Sequence, residues 1–480
     1  MSREAADFHA RVRIAVRDRH LQAALASATS RLADARLHAL ESLPSADALR
    51  DHARRIRAHT IGALDTYLEE FARRAADHGA RVHWARTSAD ATRLVVEIAR
   101  AAGARLAVKS KSMVSEEIAL NEALEAAGVR VVETDLGEFI VQLAGDRPSH
   151  IIVPVVHRTS ADVAALFRAK LGARDEDVAD IPMMTAFARR TLRREFLRAD
   201  IGISGANFAV AETGSVTVVT NEGNGRLSTT APRVHVALVG IERIVPTAED
   251  LGVMLQLLAR SATGQKLSVY TNIITGPRRP AGGAEGPSDG GEPDGPDELH
   301  IVLVDNGRSR ILAGPSAEIL YCIRCGACLN GCPVYRTIGG HAYGGVYPGP
   351  IGSVFAPARS EAAHPSPLPH ASSLCGACRE VCPVRIDIPS LLLTLRAQPA
   401  MVRSAPRWLR VGMAGYAFVA TRPWLYRLAA RLARAYTRRR SKDGWLTRLP
   451  GPLSAWTAHR DFPALASRSF TEIWAARRPR

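Results

Sequence analysis

All seven cysteines of this 480-residue chain lie between positions 322 and 382, in two runs. The first run, Cys322, Cys325, Cys328 and Cys332, reads C-x2-C-x2-C-x3-C and closes on Pro333. The second, Cys375, Cys378 and Cys382, reads C-x2-C-x3-C and closes on Pro383. Three chemistries compete for such thiols. A disulfide framework needs an oxidising compartment and favours an even count, and neither holds. Structural zinc prefers two separated C-x2-C pairs around one tetrahedral ion. Thiolates at steps of three, with one more four residues on, instead wrap an iron–sulfur cubane, and the cysteine before proline serves the other cluster of a pair.

That crossed rule gives explicit expectations. Cluster one takes Cys322, Cys325, Cys328 and the distant Cys382; cluster two takes Cys332, Cys375 and Cys378. Three residues before Cys375 stands Ser372, where a complete motif has a fourth cysteine. Cluster one is therefore [4Fe–4S]. Cluster two is either [3Fe–4S], or [4Fe–4S] with an open site whose iron is held by water, a hydroxyl or a partner's ligand. Two clusters with crossed ligands lie close together, which suits an electron relay. Arg324, Arg336, Arg379 and Arg385 stand near the ligands, either stabilising anionic clusters or as solvated surface side chains.

Composition narrows the rest. Hydrophobic residues make up 46% and charged residues 23%, ordinary for a chain that folds into two or three domains. Eleven uncharged residues, Val411 to Thr421, lie between Arg410 and Arg422, where a membrane span needs about 20. The stretch Met1–Phe8 lacks the apolar core of a secretory signal, so the expected compartment is the cytoplasm. Of the net charge of +16, +14 belongs to residues 401–480. The charge is thus a property of one tail, and with no zinc-finger, RNP or helix-turn-helix signature nucleic acid is not an expected partner.

Along the chain, residues 1–65 read as helical with no evident chemistry. From 66 helices and strands alternate as in a parallel α/β sheet: helix at 61–79, strand at 81–84, helix at 89–102, strand at 105–108, helix at 114–127. Strands are expected at 129–132 and 151–155, and consecutive strands between 200 and 240, clearest at 216–220 and 234–239. Residues 278–297, rich in Gly, Pro, Asp and Glu, read as a flexible insertion before a strand at 299–304. Asp387 opens a helix after the second run. The expected divisions are 1–65, an α/β domain at 66–308, a mostly helical two-cluster domain at 309–400, and a basic tail at 401–480. The tail carries five of the six tryptophans, and over 425–438 it sets Leu425, Leu428, Leu432 and Tyr436 on one face and Arg427, Arg431, Arg434 and Arg438 on another. Such a helix docks on the protein itself or on an acidic partner, or lies on an anionic membrane surface.

Three segments, Lys109-Ser-Lys-Ser-Met-Val-Ser-Glu-Glu, Glu133-Thr-Asp-Leu-Gly-Glu138 and Ser204–Ser215, resemble the LUD domain. Followed by Cys322-Ile-Arg-Cys-Gly-Ala-Cys and Ser373-Leu-Cys-Gly-Ala-Cys, they resemble the lactate-utilization protein B family, which shares the incomplete second run. The resemblance implies an electron-carrying subunit of a multi-protein system oxidising L-lactate to pyruvate, with companion subunits and a further electron acceptor as partners. It also implies an α/β fold related to ribose-5-phosphate isomerase and CoA-transferases, then a helical ferredoxin-like module like those of succinate dehydrogenase and heterodisulfide reductase. Other 2-hydroxy acids such as glycolate fit equally, and a LUD-domain enzyme acting on a small anionic or coenzyme-linked substrate is the alternative of another class. Under that alternative Lys109 and Lys111 bind phosphate and Glu212 is a candidate nucleophile, with a ligand near Lys109, Asn207 and Glu212. Against it, the lysines read as a solvated loop and Glu212 as a structural carboxylate. Asn221–Arg226 is glycine-rich without a Walker or Rossmann fingerprint. No catalytic residue is assigned.

Overall fold

The computed structural model describes residues 3–278, 295–360, 366–405, 407–457 and 460–477. It divides into two compact units, Met1–Met401 and Val402–Arg480. Most of the expected flexible insertion lies outside the described residues.

Residues 3–62 of the first unit form three helices, α1 (Arg3–Ala15), α2 (Arg19–Glu41) and α3 (Ala46–Gly62). Ten strands follow: β1 (Arg81–Ala85), β2 (Leu106–Lys109), β3 (Arg130–Glu133), β4 (Ile201–Gly205), β5 (Phe208–Val210), β6 (Ser215–Thr220), β7 (Val234–Gly240), β8 (Ile244–Val245), β9 (Tyr270–Ile274) and β10 (Glu298–Val304). Six of them build a parallel sheet in the order β1-β10-β7-β4-β2-β3. Its central strand β7, Val-His-Val-Ala-Leu-Val-Gly, is buried along its whole length, as a parallel strand covered on both faces must be. The crossover helix Ser88–Ala101 starts at a Thr87–Asp90 capping box and buries Ala91, Val95, Ile98 and Ala99. A second sheet, β8-β5-β6-β9, is mixed.

Three local expectations are corrected. The helix expected over 114–127 is two, Met113–Glu117 and Leu120–Ala126, broken where Ala119 turns left-handed at φ 54°. The run of strands between 200 and 240 is interrupted by a helix, Asn224–Thr230. It packs so close to β4 that a Cβ on Gly202 would run into the Ser228 carbonyl. Residues 151–155, β-branched as in a strand, form an irregular turn instead. The His150 ring accepts the N–H groups of Ile152 and Val153 at 3.0 and 3.2 Å, and Ser149 N–H donates to the Pro154 carbonyl. A side chain thereby takes the bonds a neighbouring strand would have taken.

In the second unit, helices Arg407–Ala420 and Pro423–Arg440 pack together. β11 (Trp445–Leu446) pairs antiparallel with β12 (Phe462–Pro463), and a helix spans Phe470–Arg477. Within this unit Trp408, Val411, Tyr416, Trp424, Leu428 and Leu432 are exposed. Among the described residues no helix is long and apolar enough to cross a membrane.

Candidate iron–sulfur site

The two cysteine runs fold alike. The residues before Cys325 and Cys375 and the glycines after them are all left-handed: Arg324 (φ 60°) and Gly326 (φ 76°), Leu374 (φ 56°) and Gly376 (φ 86°). A one-turn helix follows in each, Ala327–Asn330 and Ala377–Glu380. Backbone N–H groups point at sulfur: Arg324 to Cys322 Sγ at 3.4 Å, Tyr335 to Cys332 Sγ at 3.5 Å, Ile386 to Cys382 Sγ at 3.4 Å. Asp387 caps the helix Ile388–Ala397 through the Ser390 N–H, as its sequence indicates.

All seven thiols are free, and four of them, Cys325, Cys332, Cys378 and Cys382, are buried; Cys375 is exposed. Burial pushes Cys325 up to about 12, and the nearby Cys322 and Cys382 thiols add to this. Burial likewise drives Cys328 far upward beside Cys322 and Cys325, and Cys382 to about 11 beside Cys322. Cys378 rises to about 12 through burial and its neighbours Cys332 and Cys375, and Cys332 rises through burial with Cys375 nearby. Thiols this reluctant to ionise become thiolates only against a cation, and N–H groups aimed at sulfur stabilise the thiolates of iron–sulfur clusters. The donor set fits such a cluster.

The helices without evident chemistry in the sequence turn out to hold this site. Arg36 on α2 donates to the Val381 carbonyl at 2.9 Å. Arg50 on α3 donates to the carbonyls of Glu380 and Cys382 at 2.5 and 2.9 Å, and Arg54 reaches the Arg385 carbonyl and Glu318, both at 2.6 Å. Arg57, 1% exposed, donates to four carbonyls: Glu242, Ile244, Leu320 and Tyr321. Burial pushes its guanidinium down to about 9, yet those bonds keep it in place. Arg243, beyond β7, donates to the Cys322 carbonyl at 3.0 Å. The spacing of Arg50, Arg54 and Arg57 marks one helical face, a signal that a guanidinium-bearing face meets something buried.

The arginines near the cysteines part company. Arg324 is buried, pairs with Glu242 at 3.0 Å and lies 4.3 Å over the Phe355 ring, so it is no solvated side chain. Arg336 donates to the Asn330 carbonyl at 2.7 Å. Arg379 is exposed and pairs with Asp387, while Arg385 pairs with Asp47 and Asp51.

A cavity of about 490 Å³ opens in the α/β part, and its wall includes Lys111, Asn207, Glu222, Arg243, Arg324 and Tyr347. It therefore reaches Arg324 of the first cysteine run. Burial, then the Asp135 carboxylate, pushes Glu222 up to about 7. Lys109 is in neither a phosphate site nor a solvated loop: it is 1% exposed and bonds Glu133 at 2.7 Å and Glu116 at 2.9 Å. Glu212 is exposed and accepts the Ala248 N–H at 3.0 Å at the start of the helix Ala248–Thr263. Lys109, Asn207 and Glu212 do not form one site; of the three only Asn207 lines the cavity. Lys111 lines it too, held by the Ile152 carbonyl at 2.8 Å.

Residues 68–304 match the LUD domain, residues 318–386 a 4Fe-4S dicluster domain, and residues 403–478 the lactate utilisation protein B C-terminal family. The chain is 42% identical over 474 residues to "Lactate utilization protein B" of Shouchella clausii, covering 98% of this chain and 97% of that one. It is 43% identical to the protein of the same name from Bacillus licheniformis, over 98% and 97% of the two chains. It is also 42% identical to "Uncharacterized electron transport protein YkgF" of Escherichia coli, over 97% of this chain and 95% of that one. A crystal structure of a duf162 family protein from Deinococcus radiodurans aligns at a TM-score of 0.26 and 16% identity, over 50% of this chain and 98% of that one, too weak a likeness to argue from. A parallel α/β domain followed by a helical iron–sulfur domain, matched almost end to end by these relatives, makes this chain a member of the lactate utilization protein B family.

Proposed function

We propose that this chain is the iron–sulfur electron-transfer subunit of a multi-protein system oxidising L-lactate to pyruvate, itself a carrier and not the catalyst. The observation that carries the reading is the grouping of thiols. Cys322, Cys325 and Cys382 influence one another electrostatically, with Cys328 beside them, while Cys332, Cys375 and Cys378 form a second neighbourhood. This supports crossed ligation, with [4Fe–4S] on the first set and a cluster short of one thiolate on the second. When bound, each cluster accepts and releases one electron. The chain's own part is to hold the two neighbourhoods next to each other, close enough that Cys378 acts electrostatically on Cys328. Companion subunits deliver the electrons and a further acceptor takes them. We assign the α/β domain to the ribose-5-phosphate isomerase/CoA-transferase type and the cluster domain to the helical ferredoxin type. Anaerobic mixing with the companion subunits tests the function: lactate should reduce the clusters, and the isolated chain should not oxidise lactate. Clusters that stay oxidised in the full mixture overturn the reading. Glycolate, run in parallel, decides which 2-hydroxy acid is used.

The cavity favours a second reading, in which the LUD domain binds a small organic anion beside the first cysteine run. Ser110 Oγ and Arg324 Nη1, both buried in its wall, have no hydrogen-bond partner among the described residues. A bound carboxylate or phosphate group there, found by calorimetry on the holoprotein, is the discriminating result. The tail contributes either a partner-docking surface or peripheral contact with an anionic membrane. Flotation with anionic liposomes that vanishes on deleting 401–480 supports the membrane, and no flotation of the full chain excludes it.

A further inference from the structure

Ser372 stands three residues before Cys375 as Cys322 stands before Cys325, and the structure extends that match from spacing to geometry. Leu374 N–H donates to Ser372 Oγ at 3.1 Å. Its counterpart is Arg324 N–H to Cys322 Sγ at 3.4 Å. The residue supplying the donor is left-handed in both cases, at φ 56° and 60°. The carbonyls match as well. Arg396 Nη2 donates to Ser372 O at 3.0 Å and Arg243 Nη1 to Cys322 O at 3.0 Å. Arg396 also fixes the approach to Ser372 through the Pro369 carbonyl at 2.8 Å.

We infer that Ser372 Oγ is the fourth protein ligand of cluster two, holding the corner that Cys322 holds in cluster one. The inference rests on the crossed assignment above and deepens it. A hydroxyl that accepts one N–H keeps a lone pair for iron. On ligation the Ser372 O–H bond breaks, its proton passes to solvent, an iron–oxygen bond forms and a water leaves that iron; no electron moves. An oxygen ligand is harder than thiolate and suits iron less well. This corner is therefore the labile one, and it lies where Ser372 is half-buried and Cys375 exposed, open to oxidant or to a partner's ligand.

The test uses anaerobic full-length holoprotein and three forms: wild type, Ser372→Ala and Ser372→Cys. Iron and sulfide content, EPR and Mössbauer spectra are recorded before and after brief exposure to ferricyanide. Expected is a four-iron cluster two in the wild type, with one iron distinct by its oxygen ligation. In Ser372→Ala that iron is lost, leaving a [3Fe–4S] signal, whereas Ser372→Cys shows four equivalent thiolate sites that resist ferricyanide. Cluster one's signal, unchanged in all three, reports that the chain has folded. A Ser372→Ala protein with wild-type iron content and Mössbauer spectrum overturns the proposal. So does a Ser372→Cys protein as easily oxidised as wild type. Because no lactate enters these measurements, their failure is distinct from failure of the electron-transfer reading, which lactate-dependent reduction alone decides.

Discussion

The two thiol neighbourhoods share one backbone pattern and differ in what encloses it. Around Cys322, Cys325, Cys328 and Cys382 lie the α2 and α3 arginines, Arg243 and Arg324, with Glu242 and Glu117 among them. Burial works against Glu117, yet Arg308 and Arg359 hold it down at about 2. Around Cys332, Cys375 and Cys378, Cys375 is exposed and the stretch leading into it is tied down by Arg396, while Arg36 and Arg50 hold the far end of the second run. The first thiol neighbourhood is thus enclosed by three separate parts of the chain, while the second has one thiol, Cys375, at the surface. A relay needs this asymmetry, one end protected and one end reachable by a partner.

The hardest break of that comparison exchanges one thiol in each place. Cys325 lies in the main hydrophobic core with Leu320, Ile323 and Leu329. Cys325→Ser is expected to lose the iron of cluster one and, with it, the cooperative thermal transition of the first unit. Cys375→Ser loses cluster two only, and its melting temperature stays within about 3 °C of wild type. Iron assay with anaerobic scanning calorimetry reads both. Equal melting temperatures for the two variants mean that the burial difference carries no stability.

A gentler break leaves the thiols and removes one arginine beside each. Arg57→Ala strips four buried carbonyls of a charged donor, at a cost of roughly 3–5 kcal/mol. Arg396→Ala unties two carbonyls at a wetter place, for about 1 kcal/mol. Urea titration of the holoproteins should show that ranking, and a larger loss for Arg396→Ala contradicts it.

The local shape of the cysteine runs was legible in the sequence, because the steps of three and four within Cys322–Cys332 and Cys375–Cys382 are set by a short stretch of backbone. The parallel strands were legible for the same reason, since β2, β3 and β7 are short runs with an apolar centre. What holds the cysteines was not. Arg36 and Val381, or Arg57 and Leu320, are separated by hundreds of residues, and a guanidinium seeking carbonyls leaves no mark on the partner, as every residue has a carbonyl. Residues 151–155 misled because β-branching reports a fit to sheet surfaces, while the His150 ring and Pro154 decided the backbone. Lys109 misled because a buried lysine and a solvated one read the same until Glu133 and Glu116 are placed beside it.

His150 ties the α/β domain to the first run and sets a pH dependence. Its Nε2 faces Asn330 Oδ1 at 3.0 Å while Nδ1 accepts the two N–H groups of the 149–154 turn. These partners assign a neutral ring protonated at Nε2. Burial, reinforced by Lys111, pushes its pKa down to about 4. As pH falls below about 6.5 the unfolded chain therefore takes up a proton that the folded chain refuses, until the folded value is reached. Stability is present above that window and is lost as pH drops through it, by up to about 3 kcal/mol. His150→Asn does not titrate there, so its urea midpoint at pH 7 starts lower and falls less between pH 7 and pH 5 than that of wild type. Near the second run the exposed His370 is shifted in the same direction, by partial desolvation and Arg396, so His370→Asn should alter the slope less. If wild type and His150→Asn decline in parallel, the acid sensitivity lies elsewhere and the two neighbourhoods do not differ in how protons reach them.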